Sequence, residues 1–311
     1  MFHLIGKTNI DFIGKRKYAF AISGVLIAIG LIALVMIMIG KANMGIDFAG
    51  GTMIQGSFAQ PIDIGDLRGA LSNGGFPDAT IQELKAEGMQ NYFLIRVKNL
   101  GENTPSSATE TINSLMGLIS TSFPNNHFTK DSEHSIGPAV GETLRSQAKW
   151  AVILAVLGIL IYIWFRFDFR FGVAATIATF HDVLAVLGIF WLLGIEIDLL
   201  VITALLTLAG YSLTDTVVVF DRIRENLKLF RKKGDFVSTI NISINEVLSR
   251  TVITALTVFL VVMTLLLFGG QVLFSFALAL SMGVIIGTYS SVFVASPIVV
   301  EWEARSPKRF K

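Results

Sequence analysis

The sequence predicts an α-helical polytopic membrane protein with six transmembrane helices and one α+β domain set between the first two. Three observations carry this. Only 15% of the 311 residues are charged, while 53% are hydrophobic and mean hydropathy is +0.66; a soluble domain carries roughly 25% charged residues. Six apolar runs each approach the ~20 residues that cross a bilayer. Basic residues cluster in alternate connections, as the positive-inside rule requires of a multi-pass chain.

The first apolar run occupies residues 18–40 and follows Lys7, Lys15, Arg16 and Lys17. It is longer than the core of a cleaved signal peptide and lacks a small-residue cleavage site, so it reads as a signal-anchor helix. Residues 1–17 then form a cytoplasmic N-terminus.

Residues 41–147 are polar and punctuated by Gly, Pro and Asn, with no spanning run. Gly45–Phe58 reads as a strand interrupted by Gly50 and Gly51, where a bulge, a close backbone approach or a turn is expected. Ile62–Asn73 fits a helix capped by Asp63, and Thr80–Lys85 and Tyr92–Lys98 fit strands around a turn at Gly88–Asn91. Ser106–Thr121 fits a second helix and Asn126–Ser132 a last strand. The order strand–helix–strand–strand–helix–strand is the split βαβ, ferredoxin-like arrangement.

Five more spans follow at 148–165, 171–193, 198–221, 250–268 and 272–300. Arg166 and Arg170 come after the second span, and Arg222, Arg224, Lys228, Arg231, Lys232 and Lys233 after the fourth. Residues 301–311 add Arg305, Lys308, Arg309 and Lys311, whereas Gly194–Asp198 and Gly269–Gln271 carry no basic residue. Both termini are therefore expected in the cytoplasm and residues 41–147 on the outer side. In the connection 222–249, Phe236, Ile240, Ile244 and Val247 recur at helical spacing behind Asp235. That pattern suggests an amphipathic helix at the membrane surface, or a solvated helix that only joins two spans.

Composition excludes several chemistries. Cysteine is absent, which removes disulfides, thiolate nucleophiles and Cys-based metal sites. The four histidines (His3, His127, His134, His181) are scattered, so no metal centre is expected. No Gly-rich GK[ST] loop points to an ATPase, and no catalytic residue or nucleic-acid contact is expected.

What remains is ionisable groups inside apolar runs. Asp215 lies within the fourth span, where a carboxylate costs on the order of 2.5–3.5 kcal/mol on insertion scales. Thr203, Thr207, Gly210 and Thr214 run beside Tyr211 and Asp215, and Arg250, Thr254 and Thr257 line the fifth span. Arg250 is the natural counter-charge for Asp215, as a moving partner in proton uptake and release or as a permanent pair that fixes helix register. His181 and Asp182 in the third span are either relay groups or satisfy each other. Ser275, Ala279, Gly283, Gly287, Ser291 and Ala295 recur every four residues, a small-residue ridge that reads as helix packing.

Four stretches carry a resemblance: GIDFAGG after the first span, AGYSLTDTVVVFDRIREN, SRTVITALTVFL and GTYSSVFVASP. In this order they resemble the SecF branch of the SecD/SecF protein-export family, and the likeness covers the whole chain. It implies a six-helix half of a resistance-nodulation-division (RND) type transporter, with SecD as the pseudo-symmetric other half. It further implies an inner-membrane subunit, with residues 41–147 periplasmic, that uses the proton gradient to drive late preprotein translocation through SecYEG. SecA-driven preproteins and accessory membrane subunits are implied as partners, and protons as coupling ion with no cofactor. Asp215 and Arg250 match the family's proton-relay positions. Thr214 and Thr254 stand as neighbouring candidates, and Asp47, Gly50 and Gly51 belong to the periplasmic motif. Two other readings stay open: a half-transporter exporting a small molecule or lipid, and a non-conducting translocon scaffold.

Overall fold

The computed structural model describes residues 8–77, 79–86, 89–97, 105–229 and 235–306. Lys7, Gly88, Lys98, Arg231, Lys232, Lys233, Lys308, Arg309 and Lys311, which entered the charge and turn readings, lie outside the described residues. The chain divides into two units, Met1–Asn43 with Ala151–Lys311, and Met44–Trp150.

The second unit runs α2 (Ile46–Ala49), β1 (Gly51–Phe58), α3 (Ile64–Asn73), β2 (Thr80–Ala86), β3 (Met89–Val97), α4 (Pro105–Ser122) and β4 (Phe128–Ile136). Its four strands form one antiparallel sheet in the order β2-β3-β1-β4, the ferredoxin-like arrangement. Period-two alternation selects the buried face. Ile54 of β1 registers with Ile95 of β3, Phe58 meets the Phe93 ring edge-on at 5.7 Å, and this face receives Leu67 and Leu71 of α3 and Leu115 and Ile119 of α4. Burying each such side chain contributes ~1.5–3 kcal/mol. Asp63 caps α3, its side chain accepting the Gly65 N–H at 2.6 Å.

Gly45–Phe58 is not one interrupted strand. Ile46–Ala49 is a short helix, and Gly50 and Gly51 turn the chain into β1 at φ +71° and +122°, values that residues with a Cβ rarely tolerate. The irregularity of β1 lies instead at Gln55/Gly56, where a Cβ on Gly56 would collide with the Thr129 carbonyl oxygen.

The first unit holds α1 (Arg16–Met38), the Ala151–Arg166 portion of α5 (Pro138–Arg166), α6 (Phe169–Leu192), α7 (Leu199–Leu229) and α8 (Phe236–Phe268). It ends with α9 (Gly270–Ser290), a π turn (Ser291–Ala295) and α10 (Ser296–Arg305). Six segments are long and apolar enough to cross a membrane, the last running Val272–Arg305 through the π turn. α6 and α7 are the most buried; α1 packs on α6, and α9 meets α6, α7 and α8. Most large side chains of α5, from Trp150 to Phe165, remain exposed.

The connection 222–249 is not a separate surface helix. α7 continues to Leu229 and α8 already begins at Phe236, so the amphipathic stretch is the first part of the fifth spanning helix. Ile240 and Ile244 enter the main apolar cluster, and Asn226 Nδ2 reaches Ser243 Oγ at 3.0 Å. Arg222 pairs with Glu246 and Glu225, both at 2.7 Å. Asp221, next to Arg222 in sequence, pairs instead with Arg166 of α5.

Candidate functional site

The helices of the first unit bring a set of polar side chains together in its interior. On α6, His181 and Asp182 are 1% and 0% exposed, in a helix otherwise rich in small buried residues such as Ala174, Ala175, Ala178 and Ala185. Those small side chains let α7 and α9 approach, and the approach delivers hydroxyls to Asp182. Its Oδ2 accepts from Ser290 Oγ of α9 at 2.7 Å and from Ser212 Oγ of α7. Its Oδ1 lies 2.8 Å from His181 Nδ1. Gly287 keeps the wall thin: a Cβ there would sit 3.6 Å from Asp182 Oδ2 and 3.3 Å from Ser212 Cβ.

Asp215 follows Ser212 on the same face of α7 and is 8% exposed. Ser291, the first residue of the π turn, bonds Thr216 Oγ1 at 2.9 Å and faces the Asp215 carboxyl together with Thr251 of α8. Neither hydroxyl makes a well-formed hydrogen bond to Asp215 Oδ2, which is buried without a partner, as is Thr251 Oγ1. The π turn widens the helix at the position where two successive serines must reach two different helices, the kind of site where such turns recur.

Three of the sequence candidates lie elsewhere. Thr214 and Thr254 are exposed and return their hydroxyls to the carbonyls of Gly210 (3.0 Å) and Arg250 (2.9 Å). Arg250 is exposed, and among the described residues no ion pair joins it to Asp215. The geometry is that of a helix face: one residue is a 100° rotation, so Thr251 points inward and Arg250 outward. For the same reason Thr203, Thr207, Gly210 and Thr214 form an exposed stripe on α7, while Asp215 turns into the bundle.

The small ridge divides as well. Gly283 packs against α7, where a Cβ would press on the Leu208 methyls at 2.6 Å, whereas Gly287 and Ser291 belong to the acid cluster. Ser212, Thr216 and Ser290 escaped the sequence reading. The signal was position: Ser212, three residues before Asp215, shares its face, and Ser290–Ser291 is a hydroxyl pair in an apolar run; Thr216, a 100° rotation on from Asp215, carries no such signal.

In the second unit, Asp47 is half-buried in α2, and the turn it belongs to is held by two arginines. Arg145 of α5 donates to the Phe48 carbonyl at 2.5 Å, and Arg96 of β3 donates to that of Met44 at 2.9 Å. Gly50 and Gly51 provide the turn. Among the described residues no group of three His, Asp or Glu side chains is placed to hold a metal ion.

Known proteins share this architecture. The family model for the protein export membrane protein SecD/SecF, C-terminal, matches residues 118–305. The protein translocase subunit SecF of Thermodesulfovibrio yellowstonii is 48% identical over 305 residues, covering 96% of this chain and 97% of that protein. The subunit of the same name from Desulfurispirillum indicum is 43% identical, covering 95% of this chain and 92% of that one. The crystal structure of SecDF from Thermus thermophilus, a translocon-associated membrane protein, superimposes with a TM-score of 0.82 at 38% identity. That match covers 98% of this chain and 40% of the longer SecDF chain.

Proposed function

The chain belongs to the SecF family of protein translocase subunits, and from that premise we propose that it couples proton movement through Asp215 to late-stage preprotein export, working with SecD beside the SecYEG channel. Membership and the SecDF match make it a multi-pass membrane component of protein transport with SecD as its natural counterpart. The proton coupling, the channel, SecA-driven preproteins and accessory subunits as partners, and the sidedness belong to the proposal. In this reading both termini are cytoplasmic in the inner membrane, and residues 41–147 are periplasmic. Protons are the coupling ion, with no cofactor and no ATPase step.

One observation carries the reading. Asp215 Oδ2 is buried among spanning helices with no hydrogen-bond partner, and among the described residues no cation is paired with it. A carboxylate there is costly; a proton removes the charge, so the group has a reason to cycle. The exposed Thr203–Thr207–Gly210–Thr214 stripe and Arg250, Thr254 and Thr257 support a second half on this face. Lipid tails solvate an exposed guanidinium poorly, whereas an opposing helix bundle supplies partners. SecD placed there would also decide when Arg250 approaches Asp215.

The test is proton flux through this chain reconstituted with SecD in vesicles. Asp215→Asn abolishes the flux on this reading, and flux at the wild-type rate overturns it. Crosslinking of an exiting preprotein to residues 41–147 separates protein export from export of a small molecule or lipid.

A further inference from the structure

We infer that His181 and Asp182 form a second proton-holding pair in the membrane unit, set against Asp215 through the hydroxyls of Ser290–Ser291 and Ser212–Thr216. The inference rests on the proton-coupled reading above and adds to it a site that the sequence left open between relay and structure.

The partners of Asp182 decide between those two. A carboxylate kept for structure is commonly locked by a permanent cation or by fixed backbone N–H donors. Asp182 has neither among the described residues: its contacts are two serine hydroxyls and one imidazole. Each of these groups donates or accepts according to need. Ser290 Oγ lies 2.7 Å from Asp182 Oδ2 and 3.1 Å from the Gly287 carbonyl. When Asp182 is ionised, the Ser290 proton points to it. When Asp182 carries a proton on Oδ2, that proton points to Ser290 Oγ, and the serine hydrogen turns to Gly287. The same carbonyl accepts from Ser291 Oγ at 3.0 Å, which gives Ser291 an equivalent alternative to Thr216. The pocket thus satisfies both protonation states with hydroxyl rotations alone.

His181 supplies a second route for a proton. Its Nε2 is buried without a partner, while Nδ1 sits 2.8 Å from Asp182 Oδ1. A proton taken up on Nε2 lets the Nδ1 proton pass to Asp182, leaving a neutral imidazole of the opposite tautomer and a neutral carboxyl. Nothing else is consumed, and the charge that entered cancels the carboxylate.

The surroundings of the pair carry no competing cation among the described residues. α6 contributes His181 itself and α7 contributes Asp215. From α9, Tyr289 stands beside His181 with ring centroids 6.4 Å apart, its hydroxyl on the Ala19 carbonyl and near Ser23 of α1. α8 contributes the Thr251 hydroxyl. The two carboxyls line one serine wall, so a charge on one raises the cost of a charge on the other.

Infrared difference spectroscopy of the reconstituted complex with SecD tests this, alongside proton flux. A pH-dependent carboxyl band is expected that Asp182→Asn removes and Asp215→Asn retains. Asp182→Asn also slows flux about a hundredfold, the lower end of what a positioned proton-transfer group contributes. Ser290→Ala moves the band to higher frequency, since its C=O loses a donor, and Ser290→Thr restores it. A spectrum without any band that Asp182→Asn removes overturns the inference, and so does wild-type flux in that variant. Should Asp182→Asn fail to assemble, Ser290→Ala decides: an unshifted spectrum counts against the pair. Wild-type flux in Asp215→Asn is a different result, striking the proposed function itself.

Discussion

Asn245 and Ile10, 235 positions apart, exchange two hydrogen bonds of 2.9 Å: the Ile10 N–H donates to Asn245 Oδ1, and Asn245 Nδ2 donates to the Ile10 carbonyl. One turn earlier on α8, Asn241 Oδ1 accepts from the N–H groups of Phe12 (3.0 Å) and Ile13 (3.1 Å). The segment so held drives Phe12 and Ile13 into the apolar cluster, where Phe12 meets Phe293 of the π turn at 5.4 Å. The N-terminal segment therefore ties Asn241 of α8, nine residues before Arg250, to the turn that carries Ser291.

Loss of the Asn241 side chain leaves two partly buried backbone donors without an acceptor. Asn241→Ala is expected to destabilise the protein by about 1–3 kcal/mol, the cost of such orphaned groups. Thermal unfolding in detergent measures it. Asn241→Asp keeps the acceptor but loses the donor to Asp11, and falls between.

Asp11 gives this anchor a pH dependence. The Gly14 N–H and the Asn241 amide donate to its carboxylate and hold it below its ordinary value of 3.8. A depressed carboxyl adds stability above its unfolded value and loses it as pH falls through the lower folded value. Protection of the Gly14 amide from hydrogen exchange is thus expected to be full above pH 3.8 and to decline below it, with the decline missing in Asp11→Asn.

The legible parts of this chain were those governed by local pattern. Apolar run length placed six spans, turn residues and the Asp63 cap placed most of the inserted domain, and the cost of Asp215 marked the interior. Contacts between helices were legible only where one residue type allows a single use. Charge, reach and the family resemblance pair Arg250 with Asp215, yet within this chain a one-residue rotation puts Thr251 beside Asp215 and leaves Arg250 exposed. Serine is ambiguous in an apolar run, serving packing, back-bonding or an acid, and only the position of Asp182 shows that Ser212 and Ser290 serve the acid. The roles of Asn241 and Asn245 of α8 are not legible in local pattern, because the segment they bind lies more than two hundred residues away.

Glycine at the contact of α1 and α6 is a further case. A Cβ on Gly30 would collide with the Leu184 carbonyl oxygen, and one on Gly188 would come within 2.7 Å of the Gly30 nitrogen. Backbone cannot yield as a flexible side chain does, so Gly188→Ala is expected to cost about 1–3 kcal/mol by overpacking. Gly283→Ala first meets the Leu208 side chain, which can shift, and is expected to cost less. Unfolding of the two variants side by side ranks the contacts.

Arg250 separates what this chain does alone from what it does with its counterpart. Exposed, and with no ion pair to Asp215 among the described residues, it is expected to leave the stability of the isolated chain within about 0.5 kcal/mol when replaced by Gln, as surface substitutions do. In the complex with SecD the same substitution places an uncharged amide where the proposed function needs a cation able to approach Asp215, and proton flux is expected to fall while both subunits still co-purify. A loss of stability in the isolated chain would instead assign Arg250 a structural contact within it. Unchanged flux in the complex would leave Asp215 to exchange its proton without a cationic partner, returning the pairing to the inner hydroxyls of Thr251 and Ser291.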